Sequence, residues 1–391
     1  MDFLFPLLVL AAPVAELEVA PVASSSTTEL SIHVGAGYSD APVGLVRPRL
    51  SYSRARFALT IGAPLVVGQG RLFDSAESYV AWLETLDLDL EAVALRVAPL
   101  VDYGEGLSVD GLTSRLGPTD LRNAVAVAWR GEDHTLELFS DGVLDPRVFG
   151  ARWDWTLLTG KTTQIRAVST GALDPRAPGS AGPSTVGAAD VMIDLEQGIV
   201  SGFSIGLRTG AGALFRSDPL AFGGHASLSA RIGPVDRRLT LEGGTRRVGE
   251  GYIGSYFDRL YASERDGFRG TAKADLEQFS GWVARGALAA KVDGLSLSLA
   301  AEQGALPGAL RLEAELGLQD DDWQLRALAA QRAVARTDDI GTLGDTSYVS
   351  VDFAHRIWRS LFAFATLNHR VVDSEVVREG FAGIGFGQTV R

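Results

Sequence analysis

Apolar and polar residues alternate with a period of two along most of this chain. The clearest example is segment 294–302, whose apolar residues share one parity: Leu295, Leu297, Leu299 and Ala301. Segment 310–316 repeats the pattern, with Leu or Ala at even positions and Arg or Glu at odd positions. Successive side chains of a β-strand point to opposite faces, whereas a helical period of about 3.6 would mix the two sets. The pattern therefore predicts strands with one apolar and one polar face.

Runs of this kind, each about 9–12 residues long, recur about 20 times along the chain. Short turn clusters such as Val292-Asp293-Gly294 separate them, and short turns make neighbouring strands antiparallel. We predict strands near 29–38, 44–53, 55–67, 90–98, 104–113, 122–130, 133–141, 147–157, 162–173, 184–195, 199–209, 224–233, 237–247, 268–279, 281–291, 294–303, 308–318, 322–334, 345–355, 358–371 and 377–388.

The length of the runs distinguishes between two architectures. Strands of soluble proteins average about five or six residues, whereas a tilted strand that crosses a bilayer needs about 9–11. A bilayer also requires every backbone N–H and C=O to be paired, which a closed barrel achieves and an open sheet does not. We therefore predict an all-β fold, a transmembrane antiparallel β-barrel of about 16–22 strands over residues 29–391.

The N-terminus has the pattern of a secretory signal. An apolar run from Phe3 to Ala12 is followed by small residues, and it is too short for a membrane-spanning helix, which needs about 20 apolar residues. We expect residues 1–15 to be a signal peptide and 16–28 an N-terminal periplasmic segment. The alternative is a buried N-terminal strand or helix, and the absence of Lys or Arg before the apolar run departs from the signal pattern.

Two segments break the alternation. Residues 74–86 (DSAESYVAWLETL) place Tyr79, Trp82, Leu83 and Leu86 at helical spacing, so a short helix in or below the lumen is expected. Residues 251–267 contain clustered Tyr and Phe, which indicate a folded loop. Both segments are candidates for narrowing or plugging a pore.

Aromatic residues and the last strand connect the pattern to a known family. Trp153, Trp155 and Trp358 lie near strand ends, as in the interfacial girdles of membrane barrels, although aromatics are common in any strand. The last run, Phe381 to Gly387 (FAGIGFG), together with the signal and the amphipathic strands, resembles bacterial outer-membrane β-barrel proteins of porin type. In those proteins a terminal aromatic residue is read by the assembly machinery, whereas this chain continues from Phe386 to Arg391. Segments 102–111 and 255–261 also resemble a poorly characterised set of large outer-membrane barrels.

Composition excludes several classes of protein. The chain has 391 residues, no Cys and a net charge of -12, so disulfide frameworks and thiolate chemistry are excluded and nucleic acid is not expected as a partner. The five His residues do not form a catalytic pattern, because the adjacent Asn368 and His369 point to opposite faces of a strand. We therefore expect no enzymatic activity and no cofactor. Asp320 to Asp322 and the pair Asp338 and Asp339 are read as solvated turns, with weak divalent-ion binding as the alternative.

Charged residues recur on the predicted lumen face. The candidate lumen or constriction residues are Arg47, Arg49, Arg96, Arg152, Arg166, Arg208, Arg231, Arg285, Arg311, Arg326, Asp154, Glu242, Asp275, Glu277, Glu313 and Glu315. Facing rows of opposite charge would sort solutes by charge and size, and Arg-rich strands could bind a phosphate or carboxylate. The alternative is a solvated wall held by structural cross-strand pairs.

We expect a pore in the outer membrane of a Gram-negative bacterium, with outer-membrane lipid, the barrel-assembly machinery and small polar solutes as its partners. The alternative is a non-conducting barrel that serves as an anchor or subunit of an envelope complex. The sequence leaves open whether the chain forms a homo-oligomer.

Overall fold

In the computed structural model, the chain folds into one large antiparallel β-sheet that closes on itself. The structure describes residues 26–39, 41–62, 65–67, 82–98, 103–105, 109–112, 124–179, 181–216, 220–234, 236–254, 256–258, 261, 265, 281–303, 310–320, 322–334, 337–344, 347–372 and 375–390. The wall strands in chain order are β1 (Thr27–Ser39), β2 (Ala41–Arg54), β3 (Phe57–Gly62), β4 (Leu65–Val67), β5 (Leu83–Asp89), β6 (Val93–Ala98), β9 (Ala124–Arg130), β10 (His134–Ser140), β11 (Phe149–Thr159), β12 (Thr163–Ala177), β13 (Ser184–Val200), β14 (Phe203–Phe215), β15 (Ala221–Ile232), β16 (Arg237–Val248), β18 (Gly281–Val292), β19 (Leu295–Gln303), β20 (Leu310–Gln319), β21 (Trp323–Val334), β22 (Ser347–Trp358), β23 (Leu361–Val372) and β24 (Glu375–Val390). The remaining strands, β7 (Tyr103–Glu105), β8 (Val109–Leu112) and β17 (Phe257–Asp258), form a separate small sheet.

The wall has 20 positions around its circumference. Its sheet contains 21 strands, and β3 and β4 both pair with β2, so these two strands fill one position. The first and last strands close the circle, because β1 pairs antiparallel with β24 from Thr28–Val390 to Ser39–Glu379. Closure pairs the first strand of the wall with the last, as a β-sheet in lipid requires. The predicted antiparallel barrel of 16–22 strands is confirmed.

The two ends of the barrel differ in their connections. At one end, which we call the short-turn end, turns such as 201–202 and 359–360 join neighbouring strands. The Asp293-Gly294 turn has positive φ at both residues (41° and 88°), as a two-residue hairpin turn requires. At the other end, the long-loop end, connections such as 99–123 and 249–280 are much longer, and the three short strands β7, β8 and β17 belong to these two connections. β1 begins and β24 ends at the short-turn end, so the first and last residues of the wall lie side by side there.

The outer face of the wall is apolar. On β19 the exposed side chains of Leu295 and Leu299 point outward, whereas Ser296 and Ser298 occupy the opposite face. Exposed aromatic side chains form a band near the short-turn end: Trp129, Trp153, Trp155, Trp323, Trp358 and Phe386. A second band lies near the long-loop end: Tyr38, Phe149, Phe215, Phe222 and Trp282. Two aromatic bands that flank an apolar belt are the arrangement that membrane barrels present to the two lipid interfaces.

The strands are long enough to cross a bilayer. The strand β14 has 13 residues, and at a rise of about 3.3 Å per residue and a tilt of about 40° it spans roughly 33 Å along the barrel axis. That distance matches a hydrocarbon core about 30 Å thick. Within the described residues, no helix is long and apolar enough to cross a membrane.

The helix predicted over 74–86 is wrong where the structure describes it. Leu83–Asp89 form strand β5, and residues 74–81 lie outside the described residues. The register of β5 on β3 shifts by one residue, since Thr60 pairs with Thr85 but Ile61 pairs with Leu83. The extra residue, Glu84, is a β-bulge that leaves Leu83 and Leu86 on the same face three positions apart. This bulge therefore reproduces the apolar spacing of a helix within a strand.

The predicted wall strand at 104–113 is also wrong. Its described residues form β7 and β8, a short hairpin that is not part of the wall, and β8 pairs in parallel with β17 from a distant loop. Both hairpin strands contact the wall strand β12. The predicted strand at 268–279 lies outside the described residues.

A buried apolar core lies inside the long-loop half of the barrel. Loop residues Tyr252, Tyr256, Phe257 and Tyr261 form one cluster with wall residues on the inward face. The wall contribution comprises Ala124, Ala126, Phe139, Ala172, Ala177, Val186, Ala188, Leu214, Ala221, Val248 and Val283. The folded loop predicted over 251–267 thus packs, in its described part, against the inner wall.

Candidate lumen site

The strand register places the predicted charged residues on the face opposite the outward leucines. Fourteen of the sixteen lie in described wall strands with inward parity: Arg47, Arg49, Arg96, Arg152, Arg166, Arg208, Arg231, Arg285, Arg311, Arg326, Asp154, Glu242, Glu313 and Glu315. Asp275 and Glu277 lie outside the described residues.

A run of alternating charges crosses four neighbouring strands. Arg152 Nη2 lies 3.1 Å from Asp154 Oδ2, and Arg166 Nε donates to Asp154 Oδ1 over 2.6 Å. The next carboxylate, Asp194, lies 3.9 Å from Arg166 Nη1 and accepts from Arg208 Nε over 2.6 Å. The alternating order follows from the register, because Arg166 is directly opposite Asp194 and Asp194 is directly opposite Arg208. We call these five residues the ladder.

A second group of polar residues lies beside the ladder. Arg231 forms an ion pair with Glu196, whose other carboxylate oxygen accepts from Ser204 Oγ over 2.7 Å. The ladder, Arg231 and Glu196 together line an open cavity of about 440 Å³ that extends to the turn at Gly131 and to Glu242 on β16. Within the described residues, Glu242 takes part in no salt bridge. This part of the lumen therefore combines fixed ion pairs, hydroxyl groups and a carboxylate that faces solvent.

Ion pairs continue along the neighbouring wall. Arg246 Nη1 lies 2.9 Å from Glu302 Oε2, and the Arg246 side chain is only 5% exposed. Arg311 Nε donates to Glu313 Oε1 over 2.8 Å, and Arg326 Nε donates to Glu315 Oε1 over 3.2 Å. Arg285 lies directly opposite Glu302 in the register. Opposite charges in neighbouring inward positions, on one strand or on different strands, orient each other through these contacts.

A bulge organises the charges of the wall strands β2 and β5. The inserted residue Glu84 forms ion pairs with two arginines: Arg47 Nε lies 2.7 Å from its Oε1, and Arg49 Nε lies 2.8 Å from its Oε2. A Cβ at Gly62 would overlap Glu84 Oε1, so this carboxylate occupies space that only a glycine leaves free. Further along the sheet, Arg96 Nε of β6 donates to Asp87 Oδ1 of β5 over 2.8 Å. The bulge thus positions one acid between two arginines for which the sequence pattern indicated no partner.

The inner loop is tied to the wall through one buried carboxylate. Asp174, near the end of β12, has a fully buried side chain. Its Oδ2 accepts from Arg265 Nε over 2.6 Å and from the Tyr261 hydroxyl over 2.8 Å. Arg265 Nη2 also donates to the carbonyl oxygen of Arg176 over 2.5 Å. We call Asp174, Tyr261 and Arg265 the anchor.

Sequence reasoning missed several partners of the predicted residues. Asp194 and Glu196 have inward parity on β13, and Glu302 has inward parity on β19, so the two-residue alternation could have identified all three. Glu84 was hidden by the bulge. Asp174 and Arg265 are 91 positions apart in the chain, so no local signal connects them. Within the described residues, no group of three or more His, Asp or Glu side chains is placed to hold a metal ion.

The closed antiparallel wall, its apolar outer face and its two aromatic bands define a transmembrane β-barrel of the outer-membrane type. No family model matches the chain, and no curated protein matches it. Among solved structures, OccAB3 of Acinetobacter baumannii is similar with a TM-score of 0.38 and 10% identity, over 94% of this chain and 100% of that one. The outer membrane protein OprD from Pseudomonas aeruginosa gives a TM-score of 0.39 and 10% identity, over 95% and 96%. The ferric enterobactin receptor PfeA gives 0.39 and 10%, over 94% and 82%.

Proposed function

We propose that this protein is a pore of the bacterial outer membrane through which small polar solutes diffuse along a charged lumen. The observation that carries the proposal is the contrast between the two faces of one wall. The outer face presents leucines and aromatic bands to lipid, whereas the inner face carries the ladder and its neighbouring ion pairs. Burying so many charges against protein would be costly, but a water-filled lumen solvates them.

The size of the barrel leaves room for a water-filled interior. Barrels of about 16–18 strands leave an aqueous channel, whereas barrels of about 22 strands are known with a plugged lumen. This wall has 20 positions. The described part of the inner loop fills only the long-loop half of one side, against β9–β18, while the open cavity lies towards the short turns. We infer a channel that is narrowed by the loop at one end and lined by ion pairs below it.

Single-channel recording in planar bilayers tests the proposal. The purified barrel, shown to be folded by its heat-modifiable migration on gels, should produce stable conductance steps that increase with salt concentration. The matched control is the same preparation after heat denaturation, which should insert nothing. A folded, inserted barrel that stays silent would overturn the pore and favour a non-conducting anchor of an envelope complex.

The alternative function, a non-conducting barrel, rests on one specific observation: two loops pair with each other inside the barrel. β8, from the loop after β6, pairs with β17, from the loop after β16. Such a sheet could close the lumen in the resting protein. A variant with the anchor removed separates the alternatives, because a closed pore should open when its loop is released, whereas a solid barrel should remain silent.

A further inference from the structure

Two cations face each other on the inner wall at the short-turn end. Arg238 of β16 and Lys291 of β18 are directly opposite in the register, and both have inward parity. Directly opposed side chains of an antiparallel pair lie about 4.5–5.5 Å apart at Cβ, so like charges there repel. Lys291 is one of only three lysines in the chain, with Lys161 and Lys273. The pair is therefore an unfavourable arrangement that the fold nevertheless keeps.

Neither cation has an acidic partner within the described residues. Arg231, the inward arginine on the neighbouring strand, forms an ion pair with Glu196. Arg238 Nε, by contrast, is buried and donates no hydrogen bond within the described residues. The adjacent Arg237 forms an ion pair with Asp293, but this pair is exposed on the outward parity. Each charge of the ladder thus contacts an opposite charge, whereas Arg238 and Lys291 contact no acid within the described residues.

Hydroxyl groups and short side chains occupy the inward positions next to the two cations. Ser296 lies directly opposite Lys291 on β19, and Thr240 lies two positions from Arg238 on the same strand face. The next inward positions of β18 are Ala289 and Ala287, whose short side chains leave room above the pair. Guanidinium, ammonium and hydroxyl donors at neighbouring inward positions match the oxygens of a phosphate or carboxylate group.

We propose that Arg238 and Lys291, with Thr240 and Ser296, form an anion-binding subsite at the short-turn mouth of the lumen. Its ligand is the phosphate or carboxylate group of a soluble molecule, because the inward parity of both cations turns them away from lipid headgroups. Under the proposed pore function, on which this role in transit rests, the subsite would hold the anionic end of a solute as it enters or leaves. The bound anion would also offset the repulsion between the two cations.

Binding of inorganic pyrophosphate to the folded barrel in detergent tests the subsite by isothermal titration calorimetry. Arg238→Gln and Lys291→Gln should each weaken binding about tenfold, because each removes one charge-assisted contact. Arg237→Gln is the matched control, since it removes the same charge one residue away on the outer face and should leave binding unchanged. Arg238→Lys keeps the charge and should retain most of the binding. Heat-modifiable migration on gels confirms that each variant is folded.

The outcomes separate this proposal from the pore itself. Absent binding in the wild type, or equal losses in Arg237→Gln and Arg238→Gln, would overturn the subsite. In bilayers, pyrophosphate added on the short-turn side should block the wild type at about tenfold lower concentration than it blocks Lys291→Gln. Calorimetric binding with no conductance would instead overturn the pore and leave the subsite standing.

Discussion

Arg265 Nε donates a hydrogen bond to Asp174 Oδ2 over 2.6 Å, and this contact joins a loop to the inner wall of the barrel. Asp174 is completely buried, and Tyr261 donates to the same carboxylate oxygen. Charge pairs in such surroundings are costly to break, because the remaining partner keeps a buried, unpaired charge. The anchor therefore holds the inner loop against the wall together with the apolar packing of Tyr252, Tyr256 and Phe257.

Removing the anchor should release the loop without unfolding the barrel. Asp174→Ala removes the buried carboxylate that accepts from both Arg265 and Tyr261, at a cost of about 3–5 kcal/mol to the docked loop. We expect protease cleavage between residues 249 and 280 at concentrations that leave the wild type intact, together with larger or noisier conductance. The matched control is Asp145→Ala, whose partner Arg176 lies 3.6 Å away in an exposed pair that contributes at most about 1 kcal/mol. Equal protease resistance in the wild type and Asp174→Ala would contradict the anchor.

The ladder should influence which ions pass. Asp194→Asn removes the acid between Arg166 and Arg208, so the local potential becomes more positive and permeation should shift toward anions. Arg208→Gln should shift it toward cations. The measurement is the reversal potential across a membrane with a salt gradient. Asp293→Asn, in an exposed turn on the outward face, is the control that should change nothing, and identical reversal potentials in all four proteins would exclude the ladder from the permeation path.

The turn before β21 should respond to acid. Asp320 Oδ1 accepts the backbone N–H of Asp322 over 2.7 Å and that of Trp323 over 2.8 Å, and these hydrogen bonds hold the pKa of Asp320 below its ordinary value of 3.8. A lowered pKa in the folded state means that the stabilisation is present above pH 3.8 and is lost as the pH falls through the lower folded value. Titration of this carboxyl group by NMR should give a midpoint below 3.8. Asp320→Asn keeps an acceptor oxygen and should lose the pH dependence of the turn, whereas a midpoint at or above 3.8 would contradict the hydrogen bonds.

A charged side chain should destabilise the barrel on the outer face of the wall and be tolerated on the inner face. Leu228 is 61% exposed on the outward face of β15, and Ser229 is its inward neighbour. Leu228→Arg should lower the free energy of unfolding in lipid vesicles by about 2–4 kcal/mol, the cost of a charge near the bilayer centre. Ser229→Arg, which introduces the same side chain one residue away, should cost much less. Denaturant titration of both variants in the same vesicles measures the difference, and equal costs would exclude a lipid-facing Leu228.

The alternation of the sequence predicted most of the wall, because a closed barrel in lipid imposes one rule on every strand. The exceptions have local physical causes. At β5 the extra residue Glu84 places Leu83 and Leu86 on one face three positions apart, which is also the spacing of a helix. The helix predicted from these residues was therefore wrong. At β7 and β8 the alternation is real, but the strands pair with a loop inside the barrel, and local pattern does not specify a pairing partner.

The same limit applies to the lumen. Parity alone predicted that Arg152, Arg166 and Arg208 would share a face, since that property depends only on each strand. Their order of pairing with Asp154 and Asp194 depends on the register between strands, which turns and bulges set. The anchor depends on contacts between residues far apart in the chain and was beyond any local pattern. The opposed cations Arg238 and Lys291 became visible only once their neighbours were placed.

The most direct test of the central claim, a lipid-facing outside around a wet inside, uses the absence of cysteine from the chain. Single cysteines at Leu297 and Ser298, neighbours on β19 with opposite parity, are exposed in lipid vesicles to a charged, membrane-impermeant thiol reagent. We predict rapid modification of Ser298→Cys, with a change in conductance, and no modification of Leu297→Cys. Equal modification of the two positions, or modification of position 297 alone, would contradict the claim.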